Sequence, residues 1–391
     1  MKETVFQAID ELYDEIINIR RYLHQHPELS FQEKKTSQYI VDYYERLGIP
    51  YQANVGGYGV VATLKGGRPG KTIALRADFD ALPIQEENDV PYQSTVPGVM
   101  HACGHDGHTA SLLGLAKALV KHQNDLPGTV VFLHQPAEEF APGGAKPMIE
   151  AGVLEGVDAV FGTHLWADTP LGELHLAKGP FMAGADRFEL VIKGKGGHGA
   201  IPHQTKDAIV IGAQIVNQLQ TILSRRIDPL KTAVVSIGKF EAGQAFNIIA
   251  GTAKLSGTVR TFDSNVQHSI MEEMEKIIKG VCIAFDTDYE FQYFKGYPPV
   301  LNHEREADMI LKNGIQVPGI NRTVEIEPTM TGEDFAYYLM ERPGAFFFTG
   351  AQIEGRHYPH HHPKFDIDER ALLHASKALF QAYLSYQALT E

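Results

Sequence analysis

Cysteine is nearly absent: Cys103 and Cys282 are the only two in 391 residues, so a disulfide framework is excluded as the source of stability. Cys282 lies in "IIKGVCIAF", on an apparently amphipathic helix, where a buried structural thiol is the plain reading. Cys103 needs a local explanation. Long apolar runs are missing as well, and none reaches the roughly 18 residues that a bilayer-spanning helix needs. The N-terminal "KETVFQAIDELYDEIINIRRYL" reads as an acidic amphipathic helix, with Val5, Ile9, Leu12, Ile16 and Leu23 on its apolar side, rather than as a signal peptide. A cytoplasmic protein is expected, with no membrane partner. Positive charge is in short supply: 35 basic against 48 acidic side chains leave a formal charge of -13. Doublets such as Arg225-Arg226 build no phosphate-binding stripe, which argues against nucleic acid as a partner. Repeats and low-complexity tracts are also lacking.

What is present is a globular profile, 43% apolar and 21% charged, scattered over the whole length. A chain of this size exceeds one ordinary domain, so two cores are expected. Helices at 3–24, 33–47 and 107–121 alternate with short strands near 59–65, 72–77, 129–134 and 158–163, which predicts an α/β sheet covered by helices. Gly48 stands where the second helix needs a C-cap. The pattern then changes to strand 188–193, helix 208–225, strands 233–240 and 253–262, helix 266–285 and strand 289–294. That β-α-β-β-α-β order is the split βαβ sandwich. The expected division is therefore an inserted α+β domain at 182–296, with 1–181 and 297–391 forming the α/β domain around a final helix near 369–389.

The densest chemistry is "HACGHDGHT", residues 101–109, three histidines, a cysteine and an aspartate just before a helix. Thiolate, imidazole and carboxylate are the side chains that bind divalent transition metals. Alternation places Cys103 and His105 on one side of an extended loop, with His108 opening the helix. A second cluster, "FLHQPAEEF", sets Glu138 and Glu139 just beyond an apolar strand, where α/β sheets carry their sites. Adjacent residues in extended backbone point opposite ways, so one carboxylate can bind metal while its neighbour faces a water whose pKa the metal has lowered to roughly 7. His164 ends another strand in "VFGTHLW", and "HYPHHHPKFDIDE" supplies His357, His360, His361 and His362 ahead of the final helix. Taken singly, each has a plainer reading: a capping turn, a solvated acidic pair, a structural strand-end histidine.

Together the residues resemble a known family, the dinuclear-metal aminoacylases, hippurate hydrolases and auxin-amino-acid hydrolases, within the wider metallo-aminoacylase and carboxypeptidase superfamily. The resemblance runs through "RYLHQHPELSFQE", "ALRADFDALPI", "MHACGHDGHTASLLG", "QPAEE", "GGHGAIPH", "GTVRTF", "GEDFAYY" and "HHPKFDIDE", nearly the whole chain. It implies an α/β catalytic domain of the phosphorylase/hydrolase-like kind with an inserted ferredoxin-like lid used for dimerisation. It implies that Cys103, His105, Glu139, His164 and His361 bind two metals, His361 being the histidine that matches a His-x-Pro pattern, with Cys103 standing where relatives carry a bridging aspartate. Glu138 is then the general base, and Asp78 in "RADFDALP" a carboxylate that orients a ligand. His198 in the glycine-rich "GKGGHGAIPH" is implied to polarise the amide carbonyl, often from the partner subunit. Asn247, Arg260 and Gly332, in "AFNIIAG", "GTVRTF" and "TGEDF", resemble substrate-holding residues, Arg260 because its planar fork suits a carboxylate. Ala250 departs from the proline many relatives carry near Asn247.

The expected activity is metal-dependent hydrolysis of the amide bond of N-acyl (N-acetyl or N-benzoyl type) L-amino acids. A homodimer or higher homo-oligomer and a small-molecule substrate are the expected partners. The ions are expected to be two divalent metals, manganese or zinc, with cobalt or nickel also admitted. A dipeptidase or carboxypeptidase using the same machinery is the alternative, and a silent metal- or conjugate-binding protein a third; Glu138 argues against the latter, since a metal buffer has no use for an unliganded base.

Overall fold

Apolar runs separated by helices lay down a mixed eight-stranded sheet in the first of two compact units. The computed structural model describes residues 1–389. The first unit comprises Met1–Phe181, Val300–Pro328 and the chain from Asp334 onward; the second comprises Met182–Pro299 and Thr329–Glu333. In the first, the strands lie in the order Tyr51–Val55, Gly59–Lys65, Pro127–Gln135, Arg68–Asp78, Ala159–Trp166, Gly344–Gly350, Glu173–Leu176 and Arg322–Glu325. The middle four run parallel. Three of them are buried along nearly their whole length and Arg68–Asp78 over its second half, as strands covered on both faces must be. Their carboxyl ends therefore share one edge of the sheet, and the loops leaving that edge carry Asp80, Glu138, Glu139 and the histidine run.

The crossover helix His105–Val120 joins the strands Arg68–Asp78 and Pro127–Gln135. It is buried on almost every side, wedged against Tyr13–Gln25, Ala371–Gln387 and the sheet. Bare backbone at Gly114 makes the closest approach possible: a Cβ there would stand 2.5 Å from the Ile16 side chain. The single helix expected at 3–24 is two, Lys2–Asp10 and Tyr13–Gln25. A tight turn, Leu12 N–H to the Ile9 carbonyl at 3.1 Å, interrupts it. It lets Val5, Phe6 and Ile9 on one piece and Ile16, Ile19 and Leu23 on the other bury separately.

In the second unit four strands lie in the order Ala233–Ala242, Thr252–Thr261, Gly184–Lys193, Asp288–Tyr297, each pair antiparallel. Helices Ala208–Arg225 and Ser264–Ala284 cover one face, giving the split βαβ arrangement. Asp207 and Asp263 cap them by accepting backbone N–H groups of their first turns. Cys282 is buried in the shared core beside Ile278 and Met274, as a structural thiol. Residues 329–333, expected with the first unit, belong here: the Ala183 N–H donates to the Thr329 carbonyl at 3.1 Å, and Gly332 lies against Ala185.

Under the start of the crossover helix sits a buried ion network. Arg20 donates to Asp106 Oδ2 and Asp366 Oδ1, both at 2.9 Å, with Glu369 at 3.3 Å. His24 donates from Nδ1 to Asp106 at 2.8 Å and from Nε2 to Glu86 at 3.2 Å. Both partners only accept, so both ring nitrogens carry hydrogen; although burial and Arg20 oppose it, Asp106 and Glu86 raise the His24 pKa above its ordinary value. Burial acts against the Asp106 carboxylate, but Arg20 and His24 hold its pKa well below the usual range. Removing one partner of a buried pair strands the others, so Arg20→Ala is expected to cost about 3–5 kcal/mol, read as a fall in the urea midpoint. In the unsubstituted protein the Asp106 contribution is complete above the unfolded carboxylate value of about 3.9 and is lost as pH falls through the folded value. Arg20→Ala should therefore flatten the acid limb of stability against pH.

Candidate metal centre

Five segments deliver polar groups to the edge where the parallel strands end. Strand Arg68–Asp78 ends on Asp78, with Asp80 two residues on; Glu138 and Glu139 follow Pro127–Gln135; His164 lies within Ala159–Trp166. Gly104, at φ +92, turns the chain between Cys103 and His105 in a conformation glycine adopts without strain. His361 also takes the left-handed region, φ 64, and its N–H donates to the Ala102 carbonyl at 2.8 Å. A non-glycine residue held there is uncommon, and such strain concentrates at functional sites.

The donor atoms of Cys103, His105 and His164 lie within 4.8 Å of one another, as do those of Cys103, Glu139 and His361, and those of His105, Glu138 and Glu139. All five residues expected to bind metal, and Glu138, thus fall in one cluster, with Cys103 common to two of the triads. The Cys103 sulfur stands 3.4 Å from His164 Nε2. Glu139 Oε1 faces His361 Nε2 at 3.2 Å and His105 Nε2 at 3.8 Å, while Glu138 Oε2 lies 4.0 Å from His105 Nε2.

Each imidazole is set by the group behind it. His105 Nδ1 meets the Asp80 carboxylate and the Asp80 carbonyl, both at 3.1 Å. Carboxylate and carbonyl oxygens accept, so the hydrogen is on Nδ1 and Nε2 presents a lone pair to the cluster. His164 Nδ1 donates to the Leu165 carbonyl at 2.9 Å with the same result. His105 Nε2 and Glu139 Oε1 are buried without a hydrogen-bond partner among the described residues. Buried acceptors facing one another are costly unless a proton or a cation lies between them, and a thiol, imidazoles and carboxylate of this kind fit a divalent transition metal. The same charges act on the protons of the cluster. Burial and the Glu139, Glu138 and Asp78 carboxylates push the Cys103 thiol well up; burial opposes protonation of His105, but Asp78, Asp80 and Glu139 raise it to about 10.

Asp78 sits elsewhere than expected from its part in orienting a ligand. Its Oδ1 takes the His108 Nδ1 hydrogen at 2.5 Å and its Oδ2 the Arg76 guanidinium at 2.6 Å, leaving Oδ2 3.7 Å from His105 Nε2. His108 Nε2 accepts the Leu165 N–H at 2.9 Å, so both of its nitrogens are used. The carboxylate behind His105 is Asp80, which the sequence reading passed over; it also accepts the Glu139 N–H at 2.9 Å and the Ser30 hydroxyl at 2.7 Å. The recurrence of aspartate in "DFD" was the available signal. Glu33, fully buried, accepts the Ala137 N–H at 2.8 Å and steadies the left-handed turn, φ 56, that leads into Glu138. His362 turns away to stack on Tyr358, its Nδ1 accepting the Lys364 N–H.

The remaining expected residues belong to the second unit. His198 pairs in register with Ile248, beside Asn247, whose carbonyl accepts the Gly199 N–H at 2.9 Å. The His198 Nδ1 accepts the Ala200 N–H at 3.1 Å, which puts its hydrogen on Nε2 of an exposed ring. Arg260 lies opposite Ala185, the residue Gly332 also approaches, and donates to the Thr258 hydroxyl and the Val259 carbonyl.

Residues 74–385 match the model of peptidase family M20/M25/M40. The N-acyl-L-amino acid amidohydrolase of Geobacillus stearothermophilus is 48% identical over 315 residues, 81% of this chain and 85% of that protein. Thermostable carboxypeptidase 2 of Saccharolobus solfataricus is 43% identical over 375 residues, 95% of each. Among solved structures, the YXEP protein of Bacillus subtilis, described as a dinuclear metal binding peptidase from the M20 family, superposes with a TM-score of 0.83 at 39% identity, covering 97% of this chain and 99% of that one. The mixed α/β fold, the cluster of side chains able to hold a metal and these likenesses agree: the chain belongs to the M20 peptidase family and is a metal-dependent amidohydrolase.

Proposed function

We propose that the protein hydrolyses the amide bond of N-acyl L-amino acids, of N-acetyl or N-benzoyl type, to a carboxylic acid and a free amino acid. The observation that carries the reading is the pair Glu138 and Glu139. One carboxylate oxygen of Glu139 is buried among ligand nitrogens, while Glu138 shares a triad with it at His105. Cys103, His105, Glu139, His164 and His361 would hold two divalent ions, manganese or zinc with cobalt or nickel as further candidates, and Cys103 is the residue both would share. When bound, such ions supply Lewis acidity, making water acidic and a carbonyl electrophilic.

Glu138 takes the proton of the attacking water and passes it to the departing amine, so one carboxylate serves as base and then as acid. His198, its hydrogen on Nε2, would donate to the oxygen that gains charge. Arg260 would pair with the substrate carboxylate, with Asn247 and Gly332 as further substrate contacts. A homodimer, or a higher homo-oligomer, and a cytoplasmic location stay part of this proposal. The exposed outer strand Ala233–Ala242 with Phe240, Phe246 and Ile248 supports the former; no helix among the described residues is long and apolar enough to cross a membrane.

The name of the archaeal carboxypeptidase favours a second reading, hydrolysis of dipeptides or of C-terminal residues by the same groups. Steady-state rates on N-acetyl amino acids, N-benzoyl amino acids and dipeptides sharing one leaving residue separate the two. The proposal expects kcat/KM to be highest on an N-acyl substrate; a dipeptide preference would reverse it. Glu138→Gln is expected to lower kcat by about 10²–10⁴-fold, the usual worth of a general base, while elemental analysis finds the metal content unchanged. Retained turnover in that variant would remove Glu138 from the role.

A further inference from the structure

The Cys103 sulfur has a second nitrogen beside it that the ligand set leaves unused. His360 Nδ1 lies 3.8 Å from Cys103 Sγ. On the opposite edge of the ring, the Ala167 N–H donates to His360 Nε2 at 3.1 Å. A backbone N–H can only donate, so Nε2 accepts and the hydrogen of the neutral ring is on Nδ1, on the side of the sulfur. The ring has little freedom to turn. Trp166 lies against it at 4.4 Å between centroids and Phe365 at 4.9 Å, and Trp166 is itself stacked on Phe348 at 4.0 Å.

Cys103 Sγ therefore meets two imidazoles of opposite character. His164, its hydrogen committed to the Leu165 carbonyl, shows the sulfur a lone pair. His360, its lone pair committed to Ala167, shows it an N–H. We propose that His360 is a positioning residue for Cys103, donating an Nδ1–H···S hydrogen bond that orients the sulfur and withdraws electron density from it when it serves as a metal ligand. The inference rests on the reading of Cys103 as a ligand. Donors to a ligand from outside the coordination shell fix its orientation and tune the metal, and their loss costs about 10–100-fold in metal affinity. The Cys103 carbonyl is the other acceptor near this N–H, and a bond to sulfur is the one that acts directly on a sulfur-based spectrum.

The test uses the full-length protein loaded with cobalt(II), as wild type, Cys103→Ser, His360→Asn, His360→Gln and His360→Phe. An asparagine amide nitrogen reaches the place of Nδ1 and a glutamine amide that of Nε2, while phenylalanine keeps the aromatic packing and removes both nitrogens. Wild type is expected to show a near-ultraviolet sulfur-to-cobalt charge-transfer band that Cys103→Ser lacks. His360→Asn should keep the band in place. His360→Gln and His360→Phe should move it to lower energy and weaken cobalt binding about 10–100-fold in competition with a chelator. An unmoved band with unchanged affinity in both of these variants overturns the role of His360 and leaves Cys103 as a ligand. A wild-type protein without the band, or a band that survives in Cys103→Ser, overturns the ligand reading itself and this inference with it.

Discussion

Around Cys103 the atoms that face one another all have lone pairs to offer. His105 Nε2 points at Glu139 and Glu138, and His164 Nε2 at the Cys103 sulfur, while the exposed His361 brings its Nε2 to Glu139. Left unsatisfied, each buried group of this kind costs about 1–3 kcal/mol, so the packing is tolerable only if cations, or protons in their place, sit among them. The surroundings hold that arrangement in place. Asp80 and the Leu165 carbonyl each take one imidazole hydrogen and thereby aim the other nitrogen inward. Beneath the same helix start, Arg20 and His24 neutralise Asp106, the residue next to His105, without spending any donor on the cluster.

The sheet makes such a cluster possible. Parallel strands bring their carboxyl ends to one edge, and each contributes a loop whose residues meet only there. Strand Ala159–Trp166 carries His164 at the register of Phe348 on Gly344–Gly350, the strand whose following loop returns His360 and His361 toward the Cys103 turn. A site built from a strand end, a helix start and the loops beside them, on rigid, buried strands, keeps its donors in place without relying on any one loop.

Much of this was legible in the sequence because the signals are local. Cys103 and His105 stand in a dense motif before a helix, and Glu138, Glu139 and His164 follow apolar strands; the split βαβ order of the second unit shows in its spacing. Other features depend on partners far along the chain. Arg20 meets Asp106 across 86 residues and Asp366 across 346, distances at which periodicity says nothing. "GAFFFTG" has no alternation to mark it as a strand, because both of its faces are buried. Strand Tyr51–Val55 is missed for the opposite reason, being exposed along most of its length. Within "DFD" and "HHH" neighbouring residues have identical chemistry. Only the contacts tell Asp80 from Asp78; among the histidines the His-x-Pro pattern singles out His361, and the contacts add that it faces Glu139 while His360 lies beside the sulfur.

The central claim is that Cys103 is shared between two ions in one cluster. Anomalous diffraction at the absorption edge of the bound metal, from crystals grown without chelators, tests it most directly. The account predicts two anomalous peaks, one touched by His361 and the other by His164, with the Cys103 sulfur in contact with both. A single peak, or two peaks neither of which reaches the Cys103 sulfur, would contradict it.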